Sequence, residues 1–219
     1  MLDAIDPRER AALLQVGVRR RFGRGEVVCH EGDPGDALHI VTAGVFVARS
    51  ASTMGEVIAV NVFATGDVFG ELVLLTPGAR RSATVAALSA SATLMIPQAH
   101  FEALRARVPS VDRILLSLLA ERNRTLTDHL IELQFTPADQ RVVRRLLDFH
   151  AMVARPEDGG WVRLNQTELA TLAGTTRSTA NRVLRAAVAK GQVELGRGRV
   201  RVVDVAGLRR AAGRTARTG

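Results

Sequence analysis

The sequence predicts an α+β chain in three parts: an all-β barrel or sandwich, a long helix, and a compact helical module that ends in a basic hairpin. Three observations predict it. Between Phe22 and Ile96, short apolar runs alternate with turns rich in Gly, Asp and Pro, the pattern of short strands with turns every eight to twelve residues or so. From 110 to 134, leucines recur at helical spacing with no breaker. Beyond Pro137, two short amphipathic stretches flank Gly174, and the charge turns strongly basic.

The first part opens with a short helix predicted over residues 1 to about 20, with Leu13, Leu14 and Val16 as its apolar part. Strands are predicted at Val27–Val28, Leu38–Val41 and Val45–Val47, then over 57–63, 83–88 and 92–96. Pro34 and Gly35 fit a tight turn, since Pro fixes φ and Gly tolerates positive φ.

Residues 98–107 predict a short helix and 110–134 a long one, with Ser110 as its cap and Asp112 in its first turn. Leu116, Leu119, Asn123, Leu126, Leu130 and Leu133 follow one another at spacings of 3, 4, 3, 4 and 3, a heptad seam. A helix this long between two domains has little domain to pack against, so the seam predicts a parallel homodimer; packing within its own domain is the alternative. Asn123 on the seam would fix the register at some cost in stability. Thr136–Pro137 ends the helix, because Pro disfavours a helical residue before it, and marks a hinge.

In the last part, 137–154 predicts an amphipathic helix with Val142, Val143, Leu146, Leu147 and Phe149 on one face. RPEDGG at 155–160 reads as a loop. Asn165 with Glu168 forms a capping-box pattern ahead of a helix bearing Leu169, Leu172 and Ala173. Small Ala170 suits a close crossing of two helices. Gly174 interrupts, Thr175 or Thr176 caps a second helix over about 176–189, and Ala180, Val183, Leu184 and Ala187 face one way. Arg177, Ser178, Asn181, Arg182 and Arg185 face the other. Val193–Leu195 and Val200–Val205 around Gly196–Arg199 read as a basic hairpin, and the tail from about Gly207 as frayed at its end.

Composition narrows the function classes. The chain has 219 residues, 47% hydrophobic and 24% charged, which argues against wholesale disorder. No apolar run approaches the ~18 residues of a membrane span, and MLDAIDPRER has no apolar core of a secretory signal, so the expected compartment is the cytoplasm, with no membrane partner. One cysteine, Cys29, supplies neither a disulfide nor a cysteine cluster. The net charge is +8; residues 1–110 carry 11 bases and 11 acids, whereas 111–219 carry 19 and 11. The whole excess lies in the second half, which points to a sensing half joined to a half that meets an anion.

The residue types in the second half suit DNA. Arg pairs bidentately with guanine and Asn with adenine, while Ser and Thr hydroxyls suit phosphate oxygens. LNQTELATLAGTTRSTANRVL resembles the helix-turn-helix of the CRP/FNR family, the cyclic-AMP receptor proteins and their relatives. That family reads the major groove with Arg, Glu and Arg early in the second helix. The resemblance places its two arginines at Arg177 and Arg182 and puts Ser178 where the family has Glu, which alters the expected half-site. It also implies phosphate contacts from Thr179 and Asn165, beside the capping Thr176.

In the first half, GDVFGELVLLTPGARRSATV at 66–85 stands out. Gly70 lets backbone approach a ligand, the Arg81 guanidinium with the Ser82 hydroxyl suits a phosphate, and Glu71 suits a sugar hydroxyl or the orientation of Arg81. A β-turn with a surface Glu–Arg pair is the alternative reading of these residues. The run resembles the phosphate-binding cassette of the same family, on Gly70, Glu71, Leu72, Arg81, Ser82 and Ala83, and GRGEVVCHEGDPGDALHIVTAG at 23–44 resembles the opening of its β-roll. The resemblance covers about 10–206. It implies a jelly-roll-like cyclic-nucleotide-binding β-roll over 1–108, a dimerisation helix and hinge over 109–136, and a winged helix-turn-helix over 137–219. It implies cyclic AMP as effector, with Glu71 at the ribose and Arg81 and Ser82 at the cyclic phosphate. Two hydroxyl residues that meet adenine map to Leu126 and Thr127, of which Thr127 fits.

The family's iron–sulfur branch needs several cysteines, Cys29 and His30 stand away from the haem branch's ligand positions, and His39, His100, His129 and His150 are scattered. No metal, haem or cluster is therefore expected. The expected function is a cyclic-nucleotide-switched regulator of transcription that binds a palindromic operator as a homodimer and contacts RNA polymerase, its hinge lying at Phe135–Asp139. The alternative is a regulator of the same fold that binds DNA without a nucleotide. An enzyme acting on cyclic nucleotides would want a metal or a placed base, which the cassette does not offer.

Overall fold

The computed structural model describes residues 15–76, 78–108, 110–154 and 159–213. The expectations for 1–14, for the Ser110 side chain, for 155–158 and for the tail from 214 lie outside the described residues. The described chain divides into two compact units, one reaching to Ser50 and resuming over Val60–Thr127, the other formed by Ala51–Ala59 and the chain from Asp128 onward.

The first unit is built on two antiparallel sheets. The strands are β1 (Val18–Phe22), β2 (Val27–Cys29), β3 (Ala37–Ala43), β4 (Phe46–Ala51), β5 (Val57–Phe63), β6 (Val68–Phe69), β7 (Thr84–Ala87) and β8 (Ser91–Pro97). One sheet has the order β1-β8-β3-β6 and the other β2-β7-β4-β5. A short helical turn, α1 (Leu72–Leu75), lies between β6 and β7; α2 (Gln98–Arg107) and α3 (Ser110–Phe135) follow β8, and Val57–Ala59 of β5 and Asp128–Phe135 of α3 belong to the second unit. β3 pairs with β8 so that Leu38 faces Ile96 and Ile40 faces Leu94. Because successive side chains of a strand alternate faces, β3 feeds two cores. Leu38 and Ile40 join Phe101 and Leu104 of α2 and Val111 and Leu115 of α3. Val41 joins Phe22, Phe46, Phe63, Phe69 and Val85. Burial of both faces explains why β3 reads as a continuous apolar run.

Two local expectations are corrected, and one short strand, β6, was not foreseen. Residues Val18–Phe22 form a strand, not the end of a helix, paired from Val18 with Met95 to Phe22 with Ser91. Three consecutive arginines offer no apolar helical face, whereas β8 offers an open row of backbone partners. The turn before β3 is centred on Glu31–Gly32, where Gly32 has φ +85°, and Pro34 instead bridges to Arg80. Strand β6 is only two residues long, too short for a periodic signal.

The second unit contains α4 (Ala138–Val153), β9 (Trp161–Val162), α5 (Gln166–Leu172), α6 (Arg177–Ala189), β10 (Val193–Gly196), β11 (Arg199–Val202) and α7 (Val205–Ala211). Val142, Leu146 and Phe149 of α4 are buried with Leu169 of α5, Leu184 of α6 and Leu208 of α7. The hairpin β10–β11 gains β9 as a third strand, in the order β10-β11-β9. The expected strand over 200–205 ends at Val202, and Asp204 caps α7 by accepting from the Gly207 N–H. The segment after Gly207 is thus helical, with Leu208 and Ala212 fully buried.

Candidate ligand cavity and nucleic-acid interface

A cavity of about 320 Å³ opens in the first unit, within the size range of small-molecule sites. Gly70, Glu71, Leu72, Arg81, Ser82 and Ala83 all line it, so the fold brings the whole cassette together. Phe63, Phe69 and Val85 supply apolar wall, and Ser50 and Asn61 add polar groups. Gly70 is needed for its missing side chain. Its φ is +83°, and a Cβ there would collide with Arg81 Nη1 and stand 2.9 Å from the Ala37 carbonyl oxygen.

Arg81 is 6% exposed and Glu71 1% exposed. Arg81 Nη2 donates to the Ala37 carbonyl at 2.9 Å and to Asp36 Oδ1 at 3.1 Å. Its Nε and Nη1, together with Glu71 Oε2, are buried with no hydrogen-bond partner among the described residues. Unsatisfied buried donors and a buried acceptor in one cavity are costly and rare unless a ligand completes them. Two donors suit an anion such as a phosphate, and a lone carboxylate oxygen suits a hydroxyl. The donor set therefore fits a sugar phosphate.

Glu71 does not orient Arg81. Its Oε1 accepts from Nη1 of Arg122, which lies on α3, and Arg122 Nη2 donates to the Val68 carbonyl at 2.8 Å. Arg122 also lies over the Phe63 ring, 5.2 Å from its centroid. Sequence reasoning missed Arg122. Its one signal is spacing: Arg122 and Leu126 are four apart on one helix face, and both line the cavity. Thr127 is not brought there; it is exposed, and its hydroxyl donates to the Asn123 carbonyl at 2.9 Å.

Behind Arg81, His39 stacks on Phe69 with centroids 4.9 Å apart, and its Nδ1 lies 3.1 Å from Thr93 Oγ1. Burial, assisted by the Arg81 charge, pushes its pKa down to about 4. Burial also raises the Cys29 thiol, against the pull of Arg81. Among the described residues no group of His, Cys, Asp or Glu is placed to hold a metal ion, and no helix is long and apolar enough to cross a membrane.

In the second unit, α5 begins with the expected capping box: Asn165 Oδ1 accepts from the Glu168 N–H at 2.9 Å, and the Glu168 carboxylate accepts from the Asn165 N–H at 2.8 Å. Thr176 caps α6 by accepting from the Thr179 N–H, and its hydroxyl also meets those of Ser178 and Thr179. Gly174, at the turn, has φ +56°, and a Cβ there would stand 2.7 Å from Leu133. On α6, Ala180, Val183, Leu184 and Ala187 are buried, whereas Arg177, Ser178, Arg182 and Arg185 are exposed and Asn181 is half-buried. Gln166 Nε2 donates to Asn181 Oδ1 at 3.2 Å. In the hairpin, Arg199 lies over the Trp161 ring at 4.5 Å and Arg201 at 5.5 Å. A depression of about 440 Å³ runs between the start of α5, Arg177 and the tip residues Arg197–Arg199.

Arg141 ties two helix ends together. Its Nη1 donates to the Thr136 carbonyl at 2.7 Å, its Nε to that of Ala173 at 2.9 Å and its Nη2 to that of Gly174 at 2.9 Å. It thus satisfies carbonyls at the end of α3 and at the end of α5. Arg182 is paired with Asp139, a contact the sequence reading did not foresee. Along α3, Leu116 is 66% exposed and Leu130 68% exposed, with Asn123, Leu126 and Leu133 exposed too and Leu119 half-buried.

Comparison with known proteins identifies both halves. The cyclic nucleotide-binding domain profile matches residues 19–108, and the Crp-like helix-turn-helix domain profile matches 140–211. The chain is 33% identical over 212 residues to the cyclic AMP receptor protein of Thermus thermophilus, covering 97% of this chain and 96% of that protein. It is 31% identical over 219 residues, with the same coverage, to a CRP-like cAMP-activated global transcriptional regulator of Mycobacterium tuberculosis. Among solved structures, the Thermus thermophilus catabolite activator protein matches with a TM-score of 0.53 at 32% identity, over 95% of this chain and 96% of that one. The c-di-GMP-responsive regulator CLP of Xanthomonas campestris shares the fold, with a TM-score of 0.75 at 24% identity over 90% of this chain and 99% of that one. A nucleotide-binding domain joined to a helix-turn-helix, with relatives matched across nearly their whole length, has one reading: the chain belongs to the CRP family of DNA-binding transcription regulators and is not an enzyme.

Proposed function

We propose that this protein is a cyclic-AMP-responsive regulator that binds a palindromic operator as a homodimer. The observation that carries the effector reading is that Arg81 Nε and Nη1 and Glu71 Oε2, on two residues that line the cavity, are buried with no hydrogen-bond partner among the described residues. In this reading Arg81, Ser82 and the backbone at Ala83 hold the cyclic phosphate, and Glu71 accepts from the ribose hydroxyl. Gly70 and Leu72 shape the turn. Leu126 forms apolar wall for the base. The relatives named for cyclic AMP favour that nucleotide over others.

On DNA, Arg177 and Arg182 read guanine edges, and Asn181 and Arg185 flank them in the major groove. Asn165, Thr176 and Thr179 meet phosphates, and Ser178 replaces the family's acidic reader with a hydroxyl that accepts a wider range of bases. The leucine seam on α3 pairs with a second copy, which sets two reading helices about 34 Å apart. Nucleotide shifts this arrangement only through its different affinity for two states of the dimer. RNA polymerase is the further partner of such a regulator, acting in the cytoplasm.

The test is selection of bound DNA from a random pool, with cyclic AMP, with cyclic GMP and with neither, followed by titration at low salt. Enrichment of one palindrome that depends on cyclic AMP is the expected result. Equal enrichment without nucleotide makes this a nucleotide-independent regulator, and enrichment by cyclic GMP alone changes the effector.

A further inference from the structure

Asp139 stands in the first turn of α4, and its carboxylate closes on Arg182 of α6. Arg182 Nη1 donates to Oδ2 at 2.8 Å and Nη2 to Oδ1 at 2.6 Å. The pair is bidentate and end-on. That is the same edge of the guanidinium that takes a phosphate or the two acceptors of guanine. A protein carboxylate therefore occupies the fork that DNA would use.

Two features keep Asp139 in this role. A helix N-terminus favours negative charge, and the Arg182 hydrogen bonds hold the Asp139 carboxyl below the usual carboxylate range. The pair is nevertheless weak, because the side chains are 65% and 50% exposed and water screens them. It can be displaced. Arg177 and Arg185, on the same face of α6, make no ion pair among the described residues. The arrangement singles out one arginine.

We propose that Asp139 gates the DNA-binding surface, its carboxylate competing with DNA for the fork of Arg182 and withholding that arginine from a duplex that offers it only phosphate. This rests on the reading of Arg182 as a base contact. On arbitrary DNA, exchanging the carboxylate for a phosphate trades one anion for another, so Arg182 adds little affinity and releases little counterion. On the operator, a guanine in register gives the fork two acceptors while the other contacts hold the duplex in place. The operator complex then keeps only what the guanine contact gives beyond the broken pair, and the non-specific complex gains almost nothing from Arg182.

The test uses the full-length protein with cyclic AMP, the selected operator and a scrambled duplex of equal length. Asp139→Asn keeps the shape of the side chain and removes its charge. It is expected to tighten scrambled-duplex binding about fivefold and to steepen the salt dependence by about 0.9 per protomer. Operator affinity is expected to rise by at least as much, because the same pair must open there before Arg182 reaches guanine. Asp139→Glu is expected to keep the parent salt slope. In an Arg182→Ala background the gain from Asp139→Asn is expected to vanish. A gain that persists there makes Asp139 a bulk charge and overturns the proposal, as does the absence of any gain. Should Arg182→Ala alone leave operator affinity unchanged, the base-contact reading falls first, and the proposal with it.

Discussion

Glu71 and Arg122 are joined across 51 residues of sequence, the carboxylate of one in the cassette and the guanidinium of the other on the long helix. With Glu71 1% exposed and its other oxygen without a partner among the described residues, this ion pair is what lets a charge sit in the cavity wall. Removing Arg122 strands that charge. Arg122→Met is expected to destabilise the folded protein by about 3 kcal/mol, read by denaturant unfolding. Adding Glu71→Gln should recover most of the loss without restoring nucleotide binding. A double variant as unstable as the single one would show that Arg122 acts through packing on Phe63 instead.

Gly70→Ala is expected to abolish nucleotide binding while leaving cooperative unfolding intact. The new Cβ takes the space of Arg81 Nη1 and must adopt φ near +83°. Arg81→Ala should weaken nucleotide binding as strongly, with non-specific DNA affinity unchanged in both. Calorimetric titration with cyclic AMP and anisotropy with a random duplex make the measurement. Equal loss of DNA affinity would contradict the separation of the two sites.

His39 makes stability depend on pH in a fixed direction. Its pKa is about 4 when folded, against an ordinary value of 6.5, so the unfolded chain binds more protons between those values. Stability is complete above the upper value, falls as the pH drops through this window, and levels off below it. The full contribution is about 3 kcal/mol. Burial of His129 and His150 lowers their pKa values too and acts in the same sense. His39→Gln should flatten the slope of unfolding free energy against pH; an unchanged slope would assign the effect to the other histidines.

Leu116 and Leu130 are exposed on the single chain, so Leu116→Arg and Leu130→Arg should change its intrinsic stability by within about 0.5 kcal/mol. Each is expected to shift sedimentation from dimer to monomer and to remove operator binding. A dimer that survives both substitutions would place the pairing surface off the seam.

How far the sequence was legible follows from how local each signal is. α2, α3 and α4 appear within a residue or two of their expected ends, because helical periodicity and the two prolines at 97 and 137 are local. The cassette was legible as a contiguous run, and so was the capping box at Asn165. β1 was misread because only its pairing with β8 makes it a strand. β9 consists of two residues and depends on β11. Arg122, whose one local signal is its spacing from Leu126, and Asp139 went unread as site residues for the same reason: each gains its meaning from a partner far along the chain. Neither Glu71–Arg122 nor Asp139–Arg182 leaves a trace in spacing.

The single guanidinium of Arg141, lodged in two helix ends at once, bears on how such proteins are recombined. A chimera that grafts this reading head onto another sensor by cutting between 136 and 141 would part the plug from one of its sockets. Backbone carbonyls at the splice would then lose their donor, and the graft would arrive loosened before any ligand is added. A cut upstream of Leu133 carries Arg141 and all its acceptors across together, and marks the true start of the transplantable piece.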